Sequence, residues 1–155
     1  MQFEDIARKV IEKECEDYFL GIADLSSSKQ VSTEKYISLL NIYPRAVSIG
    51  ITLPPKTMEN SSMSNCSALY NETNNQLNNI AIKLSSLIEK QGYKAVALLK
   101  AGRMSDGIFV SLHRLAACDA DLGRIEDDMV ITPEVGPEVN WGTVLTDAPL
   151  EVVNK

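Results

Sequence analysis

His113 is the only histidine in the chain, and Arg114 follows it directly. One imidazole cannot build a catalytic zinc site by itself. The nearest helpers, Cys118, Asp119 and Asp121, make a poor ligand set. His113 reads instead as a proton or hydrogen-bond donor in a pocket, or as a structural histidine. Upstream, "KAGRMSDG" carries two glycines and an arginine ahead of a helix start, where backbone amides attract phosphate. Its spacing is neither G-x-x-x-x-G-K-S/T nor G-x-G-x-x-G, so an ordinary loop is the plainer reading. Asp106, just before the last helix, is the candidate acid.

Cys15, Cys66 and Cys118 are odd in number, far apart and free of any C-x-x-C pair. They cannot supply the four thiolates of an ordinary iron–sulfur cluster, and they read as buried free thiols in a reducing compartment. Glu126, Asp127 and Asp128 lack the alternating ligand spacing and the glycine of a calcium loop, so they read as a solvated acidic turn. No nucleophile elbow is visible.

The elements that must position these residues follow from periodicity. Phe3, Ile6, Ala7, Val10, Ile11, Cys15 and Tyr18 recur at steps of three and four, which predicts an amphipathic helix from Phe3 to Tyr18. "FLGIADL" reads as a short strand, and a short helix around Ile37 and Leu40 closes at Pro44. "RAVSIGITL" alternates β-branched residues and reads as a central strand that Pro54-Pro55 ends. A long amphipathic helix from about Ser64 to Gln91 carries Leu77, Ile80, Ala81, Leu84, Leu87 and Ile88, with Gly92 as its C′ residue. "YKAVALL" reads as a second interior strand. Leu112, Leu115 and Ala116 mark a helix that ends near Gly123, with Ser105 or Asp106 as N-cap. Met129–Thr132 and Val139–Thr146 read as a closing hairpin. One sheet with flanking helices, in an α+β or mixed α/β fold, is expected.

The chain has 155 residues, suited to a single domain over 1–155. With 15 Lys+Arg against 21 Asp+Glu its net charge is −6, a poor balance for binding nucleic acid or an anionic membrane. The N-terminus has no apolar signal-peptide core, which makes the cytoplasm the expected location.

"HRLAACDADLG" with "MVITPEVGPEVNWGTVLTDAPL" resembles the corrinoid-binding region of the epoxyqueuosine reductase and reductive dehalogenase superfamily. The family pattern runs S-H-K-x-A-A, A-G-L-G-W-x-G-K, L-x-I/V-T-P-x-x-G and V-L-T-D-x-P-L. His113-Arg114 stand at its His-Lys pair, and Ala120-Asp121-Leu122-Gly123 at A-G-L-G. Ile131-Thr132-Pro133 with Gly136 match the third block, and Val144 to Leu150 match the last. "YPRAVSIGITLP" and "LIEKQGYKAVAL" extend the likeness over most of the chain.

The resemblance implies a nitroreductase-like α+β domain, its mixed or antiparallel sheet flanked by helices. It implies a cobalamin-type corrinoid as cofactor, with a flavin or another tetrapyrrole as alternatives. His113, Arg114, Leu122, Gly123, Thr132, Trp141, Gly142 and Thr143 are the implied cofactor-binding residues. A corrin is a large apolar disc with amide arms, and small residues beside Trp141 could form its floor and rim. Trp141 has the alternative of core or dimer-interface packing.

In the family, electrons come from a ferredoxin module with iron–sulfur clusters that begins just after V-L-T-D-x-P-L. Here the chain ends at Lys155, so a separate ferredoxin-like redox partner is expected. The family's W-x-G-K reads Arg124-Ile125-Glu126-Asp127, and the first glycine of A-G-L-G is Asp121. These departures carry the alternative of a degenerate, non-catalytic interaction or assembly subunit, for which a homo-oligomer is expected.

Overall fold

The computed structural model describes residues 2–27, 37–53, 63–100, 110–127 and 129–152. Its elements, in chain order, are α1 (Phe3–Glu12), β1 (Tyr18–Asp24), α2 (Ile37–Ile42), β2 (Arg45–Thr52), α3 (Met63–Lys90), β3 (Ala95–Leu98), α4 (Val110–Asp119), β4 (Arg124–Glu126), β5 (Met129–Ile131) and β6 (Val139–Thr146). The fold is α+β. Its main sheet has the order β1-β2-β6-β3, and every neighbouring pair is antiparallel.

Side-chain alternation along the strands separates two cores. Leu20, Ile22, Val47, Ile49 and Val144 face one way and pack with Ala7 and Ile11 of α1 and with Leu77, Ile80, Leu84 and Ile88 of α3. Phe19, Ala23, Ala46, Trp141 and Leu145 face the other way, onto Leu112, Leu115 and Ala116 of α4. The sheet is therefore the middle of three layers. The apolar stripe of α3, Leu77 to Ile88, recurs at three- and four-residue steps and seats the C-terminal half of this 28-residue helix on the sheet. Its end is capped as the sequence suggests: Gly92 takes φ +95°, and its N–H donates to the Glu89 carbonyl.

Four local expectations are corrected by the fold. The first helix stops at Glu12, because Tyr18 is drawn into the ladder opposite Ile51. The helix read as ending near Gly123 stops at Asp119. β3 is an edge strand of four residues, paired with β6 alone. The closing hairpin does not form. β5 pairs instead with β4 in a separate small sheet, so Glu126, read as the start of an acidic turn, closes the strand Arg124–Glu126. β6 leaves β5 and inserts between β2 and β3 as an interior strand buried throughout.

Candidate functional site

β6 is eight residues long, and β2 pairs with its full length, from Val139↔Thr52 to Thr146↔Arg45. β3 reaches only half as far, from Thr146 to Thr143. One flank of β6 at residues 139–142 therefore has no neighbouring strand among the described residues. Lys100, two residues beyond β3, fills part of this notch. Its ammonium donates to the Trp141 carbonyl at 2.9 Å and lies 5.8 Å from the Tyr70 ring centre. Asn78 of α3 brackets the Lys100 backbone, donating to its carbonyl at 2.7 Å and accepting from its N–H at 2.8 Å. An amide side chain of α3 thus holds the backbone just beyond the point where β3 stops.

Groups from both faces of the sheet converge on the notch. From the α3 side, Asn140 donates to Thr73 Oγ1 and to Asn74 Oδ1, both at 2.8 Å. From the α4 side, His113 Nδ1 lies 2.8 Å from Thr143 Oγ1. His113 is only 4% exposed. Burial, reinforced by the positive charge of Lys100, lowers its pKa from 6.5 to about 3, so the ring is neutral at physiological pH. A cavity of about 160 Å³ opens here, walled by Val130, Pro137, Val139 and Trp141 and edged by Lys100, His113, Arg114 and Asn140.

The structure brings together some of the sequence-predicted site residues and separates others. His113, Arg114 and Trp141 line the cavity, and Thr143 stands behind His113. Trp141 is also a core residue, its ring tilted against Phe19 at a centroid distance of 5.7 Å. Gly142 points to the opposite face, where an added Cβ would meet Leu77. Leu122 is buried in the α4-side core. Gly123 lets the chain pass against β5, since a Cβ there would lie 2.8 Å from the Ile131 carbonyl oxygen. Thr132 staples its own turn: its hydroxyl donates to the Gly136 carbonyl and accepts from the Val135 N–H. Asp121, at the family's glycine position, takes φ +63°, a conformation that aspartate tolerates better than most side chains. Asp106, Ser105 and the rest of the "AGRMSDG" stretch lie outside the described residues, as do Pro54, Pro55 and Asp128, and nothing is described of the Cys66 side chain.

Lys100, Asn78 and Asn140 were not among the sequence candidates. Lys100 opens the stretch read as an ordinary loop, and the asparagines sit among other polar residues. Lys100, only 8% exposed, and Asn140, only 3%, are marked by burial, which a sequence does not display. The remaining described thiols show no activation. Burial pushes Cys15 up to about 11, and burial also raises Cys118.

A corrin can be tested against this lining. Pockets that enclose a small molecule usually hold roughly 300–1,000 Å³. The described cavity, at about 160 Å³, is smaller than that and does not enclose a corrin ring. Among the described residues no group of three His, Cys, Asp or Glu is placed to hold a metal ion. No described helix is long and apolar enough to cross a membrane.

No family model matches the chain, and no curated protein matches its sequence. Solved structures do match its fold. The structure of epoxyqueuosine reductase from Bacillus subtilis, with a catalytic loop swung out of the active site, aligns at a TM-score of 0.54 and 15% identity. Epoxyqueuosine reductase with an epoxyqueuosine-modified tRNA stem loop aligns at 0.56 and 15%, and the selenomethionine-labelled enzyme at 0.57 and 17%. Each alignment covers 99% of this chain and 48% of the solved one. The chain thus spans about half the length of these structures, and over that span it has the fold of epoxyqueuosine reductase.

Proposed function

We propose that this chain is a cofactor-binding domain related to the corrinoid-binding part of epoxyqueuosine reductase, acting in cofactor handling or with a separate ferredoxin-like redox partner. The observation that carries this reading is the notch beside β6. There an apolar wall that includes Trp141 meets convergent polar groups in a cavity open to solvent. Its placement in a fold like that of the reductase supports the same reading. His113 and Thr143 would form a neutral, preorganised rim, while Asn140 and Arg114 would bind amide or other polar arms. A bound corrinoid would supply cobalt redox chemistry; the residues described here bind and orient. Absorbance titration with cob(II)alamin and with flavin tests the reading. Saturable spectral change is expected with one of them, and no change with either at ligand well above about 1 μM would refute it.

A second reading, a non-catalytic assembly subunit, is favoured by one observation. The cavity is small, and the Lys100 side chain occupies part of the open flank by binding the Trp141 carbonyl. This reading expects a stable homo-oligomer in light scattering and no saturable cofactor binding; a monomer that takes up cofactor would exclude it.

A further inference from the structure

Arg114 and His113 are adjacent in α4, so their side chains leave the helix about 100° apart. His113 is directed into the sheet, where Thr143 holds it. Arg114 is half-buried and lines the same cavity, and it makes no hydrogen bond or ion pair among the described residues. Among the other described arginines, Arg8 pairs with Glu4 and Tyr18, and Arg45 lies 3.9 Å from Asp24 with its Nε unbonded. A guanidinium partly removed from water without a partner loses hydration and receives nothing in return. Its planar fork matches an oxyanion, which accepts two parallel N–H bonds.

The rest of the lining agrees. None of the described residues that line the cavity is a carboxylate. This holds although the chain as a whole carries a net charge of −6. The Lys100 ammonium is fixed at the same notch by the Trp141 carbonyl. His113, being neutral, contributes no charge and keeps the positive potential at Lys100 and Arg114.

The geometry points to an oxyanion subsite in this cavity, with Arg114 as the residue that grips a phosphate or carboxylate group of the ligand. The inference rests on the cavity being a ligand site and adds the chemical class of one ligand group, carried beside an apolar portion that meets Val130, Val139 and Pro137. Selectivity follows from position. Arg114 is half-buried, so the charged group it holds keeps part of its hydration while the apolar portion is covered.

The sole histidine offers a direct probe, because its ring resonances need no assignment. The experiment is a long-range proton–nitrogen spectrum of the His113 ring at neutral pH during titration with inorganic phosphate and, separately, acetate. Sodium chloride at matched ionic strength is the control. At least one of the two anions should shift the resonance saturably while chloride does not, and the responding anion identifies the preferred group. Arg114→Gln should weaken that response about tenfold or more, as loss of a charge-assisted bond requires. Arg114→Lys should recover part of it, and both variants should retain the far-ultraviolet dichroism of the native fold. A resonance that ignores both anions, or an Arg114→Gln variant that binds as the native chain does, overturns the inference. These outcomes are separate from the cofactor reading. Anion binding without any corrinoid or flavin binding would sustain the subsite and remove the proposed cofactor, and the reverse pattern would do the opposite.

Discussion

Asn78 and Lys100 are joined by two hydrogen bonds between one side-chain amide and one peptide unit: Asn78 Nδ2 donates to the Lys100 carbonyl, and Asn78 Oδ1 accepts from the Lys100 N–H. The pair ties the middle of α3 to the chain leaving β3. It also delivers the Lys100 ammonium to the Trp141 carbonyl. Asn78→Ala should cost about 1–3 kcal/mol, because it leaves two backbone groups without partners in a mostly buried place. Asn78→Asp should cost no less, since it sets a carboxylate oxygen against the Lys100 carbonyl. Urea unfolding of both variants checks this, and a loss below a few tenths of a kcal/mol would contradict the bracket.

His113 makes stability depend on pH in a defined sense. Its folded-state pKa of about 3 lies below the ordinary 6.5, so the unfolded chain takes up the proton first. The contribution is complete above pH 6.5 and falls as the pH drops towards 3. The slope is about 1.4 kcal/mol per pH unit, or about 2 kcal/mol from roughly pH 6.5 to roughly pH 5. His113→Gln should be less stable at neutral pH but flatter in this window. Denaturant midpoints of both proteins at a series of pH values test the difference in slope.

Lys100→Met separates the two causes of that shift. Burial is the larger and the Lys100 charge the smaller, so removing the charge should raise the His113 titration while leaving it below 6.5. Nuclear magnetic resonance of the single imidazole reads this directly. An unchanged titration would mean that Lys100 does not act on the ring.

Two glycines on opposite faces of the sheet should respond differently. At Gly50 a Cβ would lie 2.7–2.8 Å from the Trp141 ring, so Gly50→Ala should cost about 1–3 kcal/mol and alter the emission of the only tryptophan. At Gly142 the nearest atom is Leu77 Cδ2 at 3.1 Å, the end of a flexible side chain. Gly142→Ala should cost less than about 1.5 kcal/mol and leave the emission in place. Fluorescence-monitored unfolding compares them.

Ser48 is fully buried opposite Thr143, and its hydroxyl has no hydrogen-bond partner among the described residues. Ser48→Ala should therefore be neutral or stabilising by about 1 kcal/mol, although it lies in the centre of the sheet. A loss of comparable size in thermal or urea unfolding would show that the hydroxyl is bonded in solution.

Much of this architecture is legible in the residues. The stripe Leu77, Ile80, Ala81, Leu84 and Ile88 specifies α3, and the alternation Val47, Ile49, Ile51 specifies β2. Both are local periodicities that secondary structure imposes on any buried face. His113, Arg114 and Trp141 could be singled out as pocket candidates by residue type. Tyr18 was read as helical because its strand partner, Ile51, lies far away in the chain, and the strand from Met129 was given β6 as its partner where the fold gives it β4.

The order of β6 between β2 and β3 was decided only by the tertiary structure, and so was the notch left where β3 ends at Leu98. Strand order and strand length mismatch depend on pairing between segments far apart in the chain, which leaves no period to read. The same holds for burial. The sequence by itself determined the elements, the excess of negative charge and the single imidazole. Only folding placed Lys100 and Asn140 under cover beside that imidazole, because desolvation is a property of neighbours in space.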